Sequence, residues 1–117
     1  MKIAIPVEEG RLHGDFGRCR RFALLELDAD NKVVLSSEDV SAPERPSGLT
    51  PRWLREQGVG VLIAGGIGPR ALGLCARCSI DVRGGTAGAS VDQVVAAYLD
   101  GELTAPAYQP RPHDYPL

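Results

Sequence analysis

Short apolar runs alternate with polar segments along the first hundred residues of the chain. Residues 3–7 form an almost continuous apolar run that ends at Glu8-Glu9-Gly10, a pattern typical of a strand buried on both faces. Residues 22–27 and 32–35 flank a turn-prone sequence and predict a β-hairpin. Two further short apolar runs, 59–64 and 80–82, predict two more strands.

Three segments carry the signals of helix ends. Thr50 is a good N-cap before Pro51, and Gly58 suits the C-terminal end of this first helix. The second helix begins at Pro69. The third opens with a capping box between Ser90 and Gln93, and Gly101 ends it.

The predicted order of elements is β-β-β-α-β-α-β-α. A leading hairpin followed by β-α units indicates an α/β domain with a mixed five-stranded sheet and three helices on its faces. Residues 40–47 contain two prolines and read as a crossover loop. Residues 104–117 contain four prolines and no periodic pattern, so we expect an extended tail after a domain of residues 1–103.

Composition limits the class of protein. A chain of 117 residues, 44% of them hydrophobic, is enough for one core. The formal net charge of -2 gives no reason to expect nucleic acid or an anionic membrane as a partner. The chain has no apolar run of the roughly 18 residues that cross a membrane, no signal-peptide pattern, and an odd number of cysteines, three. We therefore expect a cytoplasmic protein.

Two glycine-rich loops are candidate anion sites. The first contains Gly65, Gly66 and Gly68 and leads into the second helix, where Arg70 adds a planar set of donors. The second contains Gly84 and Gly85 and follows the next strand, so the two loops should be neighbours at the carboxyl edge of the sheet. The alternative is that these glycines only permit tight turns.

Cys19 is the first candidate metal ligand. It lies between Arg18 and Arg20, and nearby cations favour the thiolate that binds soft metals. His13 is the second candidate, because neutral imidazole is a common ligand. Either residue could instead have an ordinary structural role. Cys75 and Cys78 have the spacing of half a zinc site, but they lie on an apolar helical stripe and are expected in the core.

Three segments together resemble the dinitrogenase iron-molybdenum cofactor biosynthesis family of NifX-like proteins from nitrogen fixation. These are residues 2–7, residues 16–23 with Phe16-Gly17-Arg18-Cys19 and Phe22-Ala23, and residues 64–71 with the glycine loop. The resemblance implies a ribonuclease-H-like three-layer architecture and a role without catalysis. It also implies binding of an iron-molybdenum or other metal-sulfur cluster, or its precursor, exchanged with donor or acceptor proteins.

Three functional hypotheses follow from the residues and the resemblance. The first is a cluster carrier that uses Arg18, Cys19, Arg70 and the glycine loops. The second is a regulatory or interaction protein that keeps the fold without a cluster, because Asp15 and Leu49 stand where the family often has histidine. An enzyme is the least favoured, because two-metal hydrolysis needs clustered carboxylates on strands and the chain lacks that pattern.

Overall fold

A computed structural model of the protein describes residues 1–43 and 49–103. The described residues contain six strands and three helices, and a 3₁₀ turn lies at Phe16–Arg18. The elements in chain order are β1 (Lys2–Glu8), β2 (Arg11–Leu12), β3 (Arg21–Asp28), β4 (Val33–Ser41), α1 (Thr50–Glu56), β5 (Val61–Ala64), α2 (Pro69–Arg77), β6 (Asp81–Gly84) and α3 (Val91–Leu99).

The sheet is built around β1, the apolar run at the start of the chain. Its order is β4-β3-β1-β5-β6, with β2 paired to β1 outside this path. β1 runs antiparallel to β3 and parallel to β5, so Ile3 faces Leu25 on one side and Val61 on the other. β5 and β6 are also parallel. The α/β class and the mixed sheet are therefore confirmed, and the carboxyl ends of β1, β5 and β6 point the same way.

The number of strands differs from the prediction, since the described part of the chain forms a sheet of six strands and not five. The additional strand is β2, inside a segment predicted to be a loop. Glu9 and Gly10 both have positive φ, 52° and 77°, which is the conformation of a two-residue hairpin turn. The turn folds Arg11 and Leu12 back onto the end of β1. A two-residue strand is too short to produce a detectable alternation.

The hairpin strand β4 is longer than predicted, because it continues through Ser41. Residues 36–41 belong to the edge strand of the sheet and are mostly polar. They therefore carry no apolar alternation that would reveal a strand. The predicted crossover loop therefore begins later than residue 40. The rest of that loop, residues 44–48, and the predicted tail at 104–117 lie outside the described residues.

Two apolar cores lie on opposite faces of the sheet. One lies under α1 and α2, where the Phe22 ring is 6.0 Å from Phe16 and 5.8 Å from Trp53 between ring centroids. The other lies under α3, where Val94 and Val95 meet the opposite face of β1 and β3. The protein thus has three layers. In the described ranges, no helix is long and apolar enough to cross a membrane.

Most helix-end predictions agree with the structure. The Ser90–Gln93 capping box opens α3, α2 begins at Pro69, and Gly58 has the positive φ of a residue just after a helix. The N-cap prediction at Thr50 is wrong by one residue. Leu49 already has helical dihedral angles, φ −95° and ψ −5°, so Thr50 is the first residue of α1 and does not cap it.

Candidate functional site

Three loops meet beyond the carboxyl ends of β1, β5 and β6. We call them together the loop edge: residues 9–20 after β1, residues 65–68 after β5, and residues 84–90 at the end of β6 and beyond. Parallel neighbouring strands end on the same side, so the sheet order alone brings these loops together. Loops at this position in an open α/β sheet commonly bind ligands.

The first and second loops touch through their backbones. The Phe16 amide donates to the Gly66 carbonyl oxygen at 3.1 Å. A Cβ atom on Gly65 would lie 3.0 Å from the His13 carbonyl oxygen and 3.2 Å from the Gly14 Cα. The missing side chain of Gly65 therefore permits close approach of two backbones, a structural role that differs from the tight turn considered from the sequence.

The first and third loops are joined by β2. The Leu12 amide donates to the Ala89 carbonyl at 2.8 Å, and the Gly88 amide donates to the Leu12 carbonyl at 2.9 Å. The Arg11 guanidinium also donates to the Gly88 carbonyl, at 2.9 Å. On Gly85, a Cβ atom would lie 2.8 Å from the Leu12 Cδ2. Sequence reasoning missed this role of β2, although Glu9-Gly10 was a turn signal that could have shown it.

The second loop ends at the N-terminus of α2. Gly68 is the N-cap and Pro69 follows it, and among the described residues no side chain caps this end. The Leu72 amide makes the first intrahelical bond, to Gly68 at 3.0 Å. The amides of Arg70 and Ala71 thus have no acceptor within the helix, and their partial positive charge favours an anion. The Arg70 side chain is exposed next to them.

Cys19 is buried, with 9% of its surface exposed. Its Sγ donates to the Arg21 carbonyl at 2.8 Å and lies 3.8 Å from the Val7 carbonyl. Burial raises the pKa of the Cys19 thiol above its usual value, whereas the neighbouring arginines predicted the opposite direction. Arg18 does not offset this, since its side chain is 83% exposed and lies 3.6 Å from Asp15. Cys19 at neutral pH is therefore a thiol.

His13 is held in one tautomer by its neighbours. Its Nδ1 accepts a hydrogen bond from the Asp15 amide at 2.9 Å, so the proton of the neutral ring is on Nε2. That Nε2 lies 3.7 Å from a carboxylate oxygen of Glu8. Metal-bound histidine usually donates from its second nitrogen. A metal on either nitrogen of His13 would therefore require these contacts to change.

The remaining thiols lie away from the loop edge, at the C-terminal end of α2. Cys75 is fully buried in the core under α1 and α2, and burial raises its pKa to about 12. Cys78 packs against the same core. Within residues 1–43 and 49–103, no group of three or more His, Cys, Asp or Glu side chains is placed to hold a metal ion. A bare metal ion has no preformed site there.

Charge is distributed unevenly over the described residues. Six arginines lie in the loop edge or within two residues of it in sequence, namely Arg11, Arg18, Arg20, Arg21, Arg70 and Arg83, against four carboxylates, Glu8, Glu9, Asp15 and Asp92. The remaining described residues carry nine carboxylates against five lysines and arginines. The loop edge is thus the cationic part of an acidic protein, although its charge could not be read from the net value of -2.

Comparisons with known proteins agree with the resemblance seen in the sequence. Residues 1–101 match the family described as dinitrogenase iron-molybdenum cofactor. The uncharacterized protein MJ0580 of Methanocaldococcus jannaschii is 28% identical over 106 residues, which is 88% of this chain and 89% of that protein.

Solved structures of similar chains share the fold. The crystal structure of PH0822 superposes with a TM-score of 0.80 at 28% identity, over 90% of this chain and 94% of that one. The apo form of the orange protein from Desulfovibrio gigas superposes with a TM-score of 0.74 at 28% identity, over 91% and 92% of the two chains.

Gly65→Ala tests the contact between the first two loops. The added methyl would press on the His13 carbonyl and the Gly14 backbone, so we expect a loss of about 1–3 kcal/mol in unfolding free energy. The matched control is Gly73→Ala on α2, where a Cβ meets nothing within 4 Å and we expect a gain of up to about 1 kcal/mol. Urea denaturation measures both, and equal changes would contradict the contact.

The buried Cys75 thiol predicts a pH dependence of stability. Its pKa is about 12 in the folded protein against 9.0 in the unfolded chain, so above pH 9 the unfolded state loses this proton first. The stabilisation is complete below pH 9 and is lost as the pH rises toward 12. The difference in unfolding free energy between the wild type and Cys75→Ala should shrink across this range in urea titrations. A constant difference would contradict the burial of this thiol.

Proposed function

We propose, since the chain belongs to the dinitrogenase iron-molybdenum cofactor family, that it carries an iron-molybdenum or related metal-sulfur cluster, or a precursor of one, as cargo. The single observation that carries the proposal is the convergence of three loops on one cationic edge of an otherwise acidic protein. The role is that of an accessory protein without catalysis, which receives the cluster from one protein and gives it to another inside the cell.

The loop edge recognises the cargo as an anion. Metal-sulfur clusters of this class carry negative charge, and the uncapped amides at the start of α2 supply hydrogen-bond donors to such a charge. Gly68 is partly exposed at the N-cap and has no side chain, so a bulky anion can approach these amides closely, while Gly65 and Gly66 hold the backbone against the first loop. Arg70 adds a charged fork from the helix, and Arg18 adds one from the first loop.

The third loop contributes Gly84 and Gly85 to the proposed anion site. Gly85 has no side chain and packs closely against the Leu12 side chain, and this packing keeps the third loop next to the first. The backbone hydrogen bond from Gly85 to Ala64, at 2.9 Å, ties it to the end of β5 as well. Because the third loop is held by both the first loop and β5, the loop edge needs little rearrangement to bind an anion, which lowers the entropic cost of binding.

Cys19 is the thiol at this edge that we propose as a ligand. It would have to leave its hydrogen bond to the Arg21 carbonyl and lose a proton, so binding should be stronger at higher pH. His13 is the second proposed ligand, after release from Asp15. Both ligands act after the anion is held by the amides and arginines. We also propose that the three layers are of the ribonuclease-H-like type, supported by the sheet order β4-β3-β1-β5-β6.

One observation favours a second candidate, an interaction protein without a cluster. The Asp15 carboxylate accepts a hydrogen bond from the Gly17 amide at 2.9 Å and lies 3.6 Å from the Arg18 guanidinium. It therefore already supplies negative charge to one donor and one cation of the loop edge. In that case the loop edge would not need an anionic cargo.

Anaerobic reconstitution with ferrous iron, molybdate and sulfide tests the carrier function. We expect metal and charge-transfer absorption to elute with the wild-type protein. Arg70→Gln should weaken retention by about 10-fold or more, because it removes a charged hydrogen-bond donor. Arg77→Gln, at the opposite end of the same helix, is the matched control and should retain the cluster like the wild type.

Cys19→Ser separates anion recognition from ligation. If Cys19 is a ligand, its loss should shift the absorption bands and abolish the rise in retention with pH. Bands that are identical in Cys19→Ser would remove Cys19 from the ligand set. A wild-type protein that elutes without metal or colour would reject the carrier function and favour the interaction protein.

A further inference from the structure

The strand β4 forms an open end of the sheet. Within residues 1–43 and 49–103 it pairs only with β3, and each residue from Val33 to Asp39 is exposed. One backbone side of this nine-residue strand therefore faces away from the sheet. Such an edge presents unpaired amide and carbonyl groups and can accept one more strand. The sheet register shifts between Glu26 and Leu27, so the regular part of the edge lies in residues 36–41.

The first residues of β4 add an apolar contact area. Val33 and Val34 are 44% and 45% exposed, and Leu35 is 61% exposed. Val34 also borders a groove of about 310 Å³ between β4 and α3, together with Val95, Ala96 and Leu99. An aliphatic side chain of a bound strand could enter this groove, so the edge offers side-chain recognition in addition to backbone pairing.

The charge of β4 selects the kind of partner. The strand carries two carboxylates, Glu38 and Asp39, and no lysine or arginine. The nearest cation in sequence, Lys32, lies 3.7 Å from Asp100 of α3. Antiparallel pairing of two copies of β4 would bring four carboxylates together within a few residues of the two-fold axis, and like charges across strands are destabilising. A cationic strand from a different protein avoids this repulsion.

We propose that β4 binds an extended cationic segment of a partner protein by antiparallel strand addition. Lysine or arginine residues of that segment lie opposite Glu38 and Asp39, and an aliphatic residue enters the groove beside Val34. β4 is at the lateral end of the sheet, whereas the loop edge lies beyond the ends of its parallel strands. A partner on β4 leaves the loop edge free, and the inference does not depend on the proposed cargo.

A blocked octapeptide tests this surface. Its sequence is two threonines, two lysines, two threonines and two valines, which places lysine opposite the acidic pair in antiparallel register. Peptide titration at low salt should slow amide exchange along residues 36–41, seen by NMR, and give saturable fluorescence anisotropy. A second peptide, with glutamate in place of lysine, should bind at least about 10-fold more weakly than the lysine peptide.

Matched charge variants separate the β4 surface from the overall charge. Glu38→Lys/Asp39→Lys should weaken binding of the lysine peptide by about 10-fold or more. Glu9→Lys/Glu56→Lys makes the same change in net charge away from β4 and should bind like the wild type. Thermal unfolding checks that both variants are folded.

Three results would overturn the proposal. The first is an absence of protection on β4 at millimolar peptide, and the second is equal weakening by the two double variants. The third is protection, without peptide, of those β4 amides that face away from β3, together with a dimer in sedimentation, which would assign the edge to a second copy of the chain.

Discussion

The structure depends on the close packing of residues 12–16 against the glycines that follow β5 and β6. Gly65 and Gly85 each leave room that a single methyl group would fill, and backbone hydrogen bonds to Gly66 and Ala89 hold the segment in that space. These contacts turn three separate loops into one rigid edge. Gly65 makes its closest contacts with backbone atoms and Gly85 with side-chain atoms, so both positions favour a residue without a side chain.

The elements with local signals could be predicted from the sequence, and those fixed by tertiary contacts could not. Pro69, Ser90 and Gly58 mark helix ends through their own hydrogen bonding and dihedral preferences, and the structure uses them as expected. β2 is a strand only because a tight turn returns it to β1. The polar second half of β4 is a strand only because β3 pairs with it.

The candidate site shows the same division. The glycine loops could be placed together from the order of strands and helices alone. The protonation state of Cys19 could not, because arginine neighbours in sequence predict a lowered thiol pKa, whereas burial in the folded protein raises that pKa. Burial is a property of the packed chain, and here it outweighs the backbone hydrogen bonds with Arg21 and Val7, which lower the pKa. The tautomer of His13 likewise depends on a backbone amide two residues away.

Separation of charge links the two surfaces of the protein. The cationic loop edge is suited to an anionic cargo, and the acidic edge strand β4 is suited to a cationic partner. A protein that exchanges cargo must hold it and contact another protein at the same time, so two surfaces of opposite charge on different sides of the sheet are an advantage. Neither surface is visible in the small net charge of the chain.

The central claim is that the loop edge binds an anionic metal-sulfur species through its amides. Titration of the protein labelled with ¹⁵N by tetrathiomolybdate, at constant ionic strength, tests it most directly by NMR. We predict saturable shifts confined to the amides of residues 65–71 and 84–88 and of the first loop, with none for sulfate at the same concentration. Shifts on β4 or α3 alone, or equal shifts with sulfate, would contradict the claim.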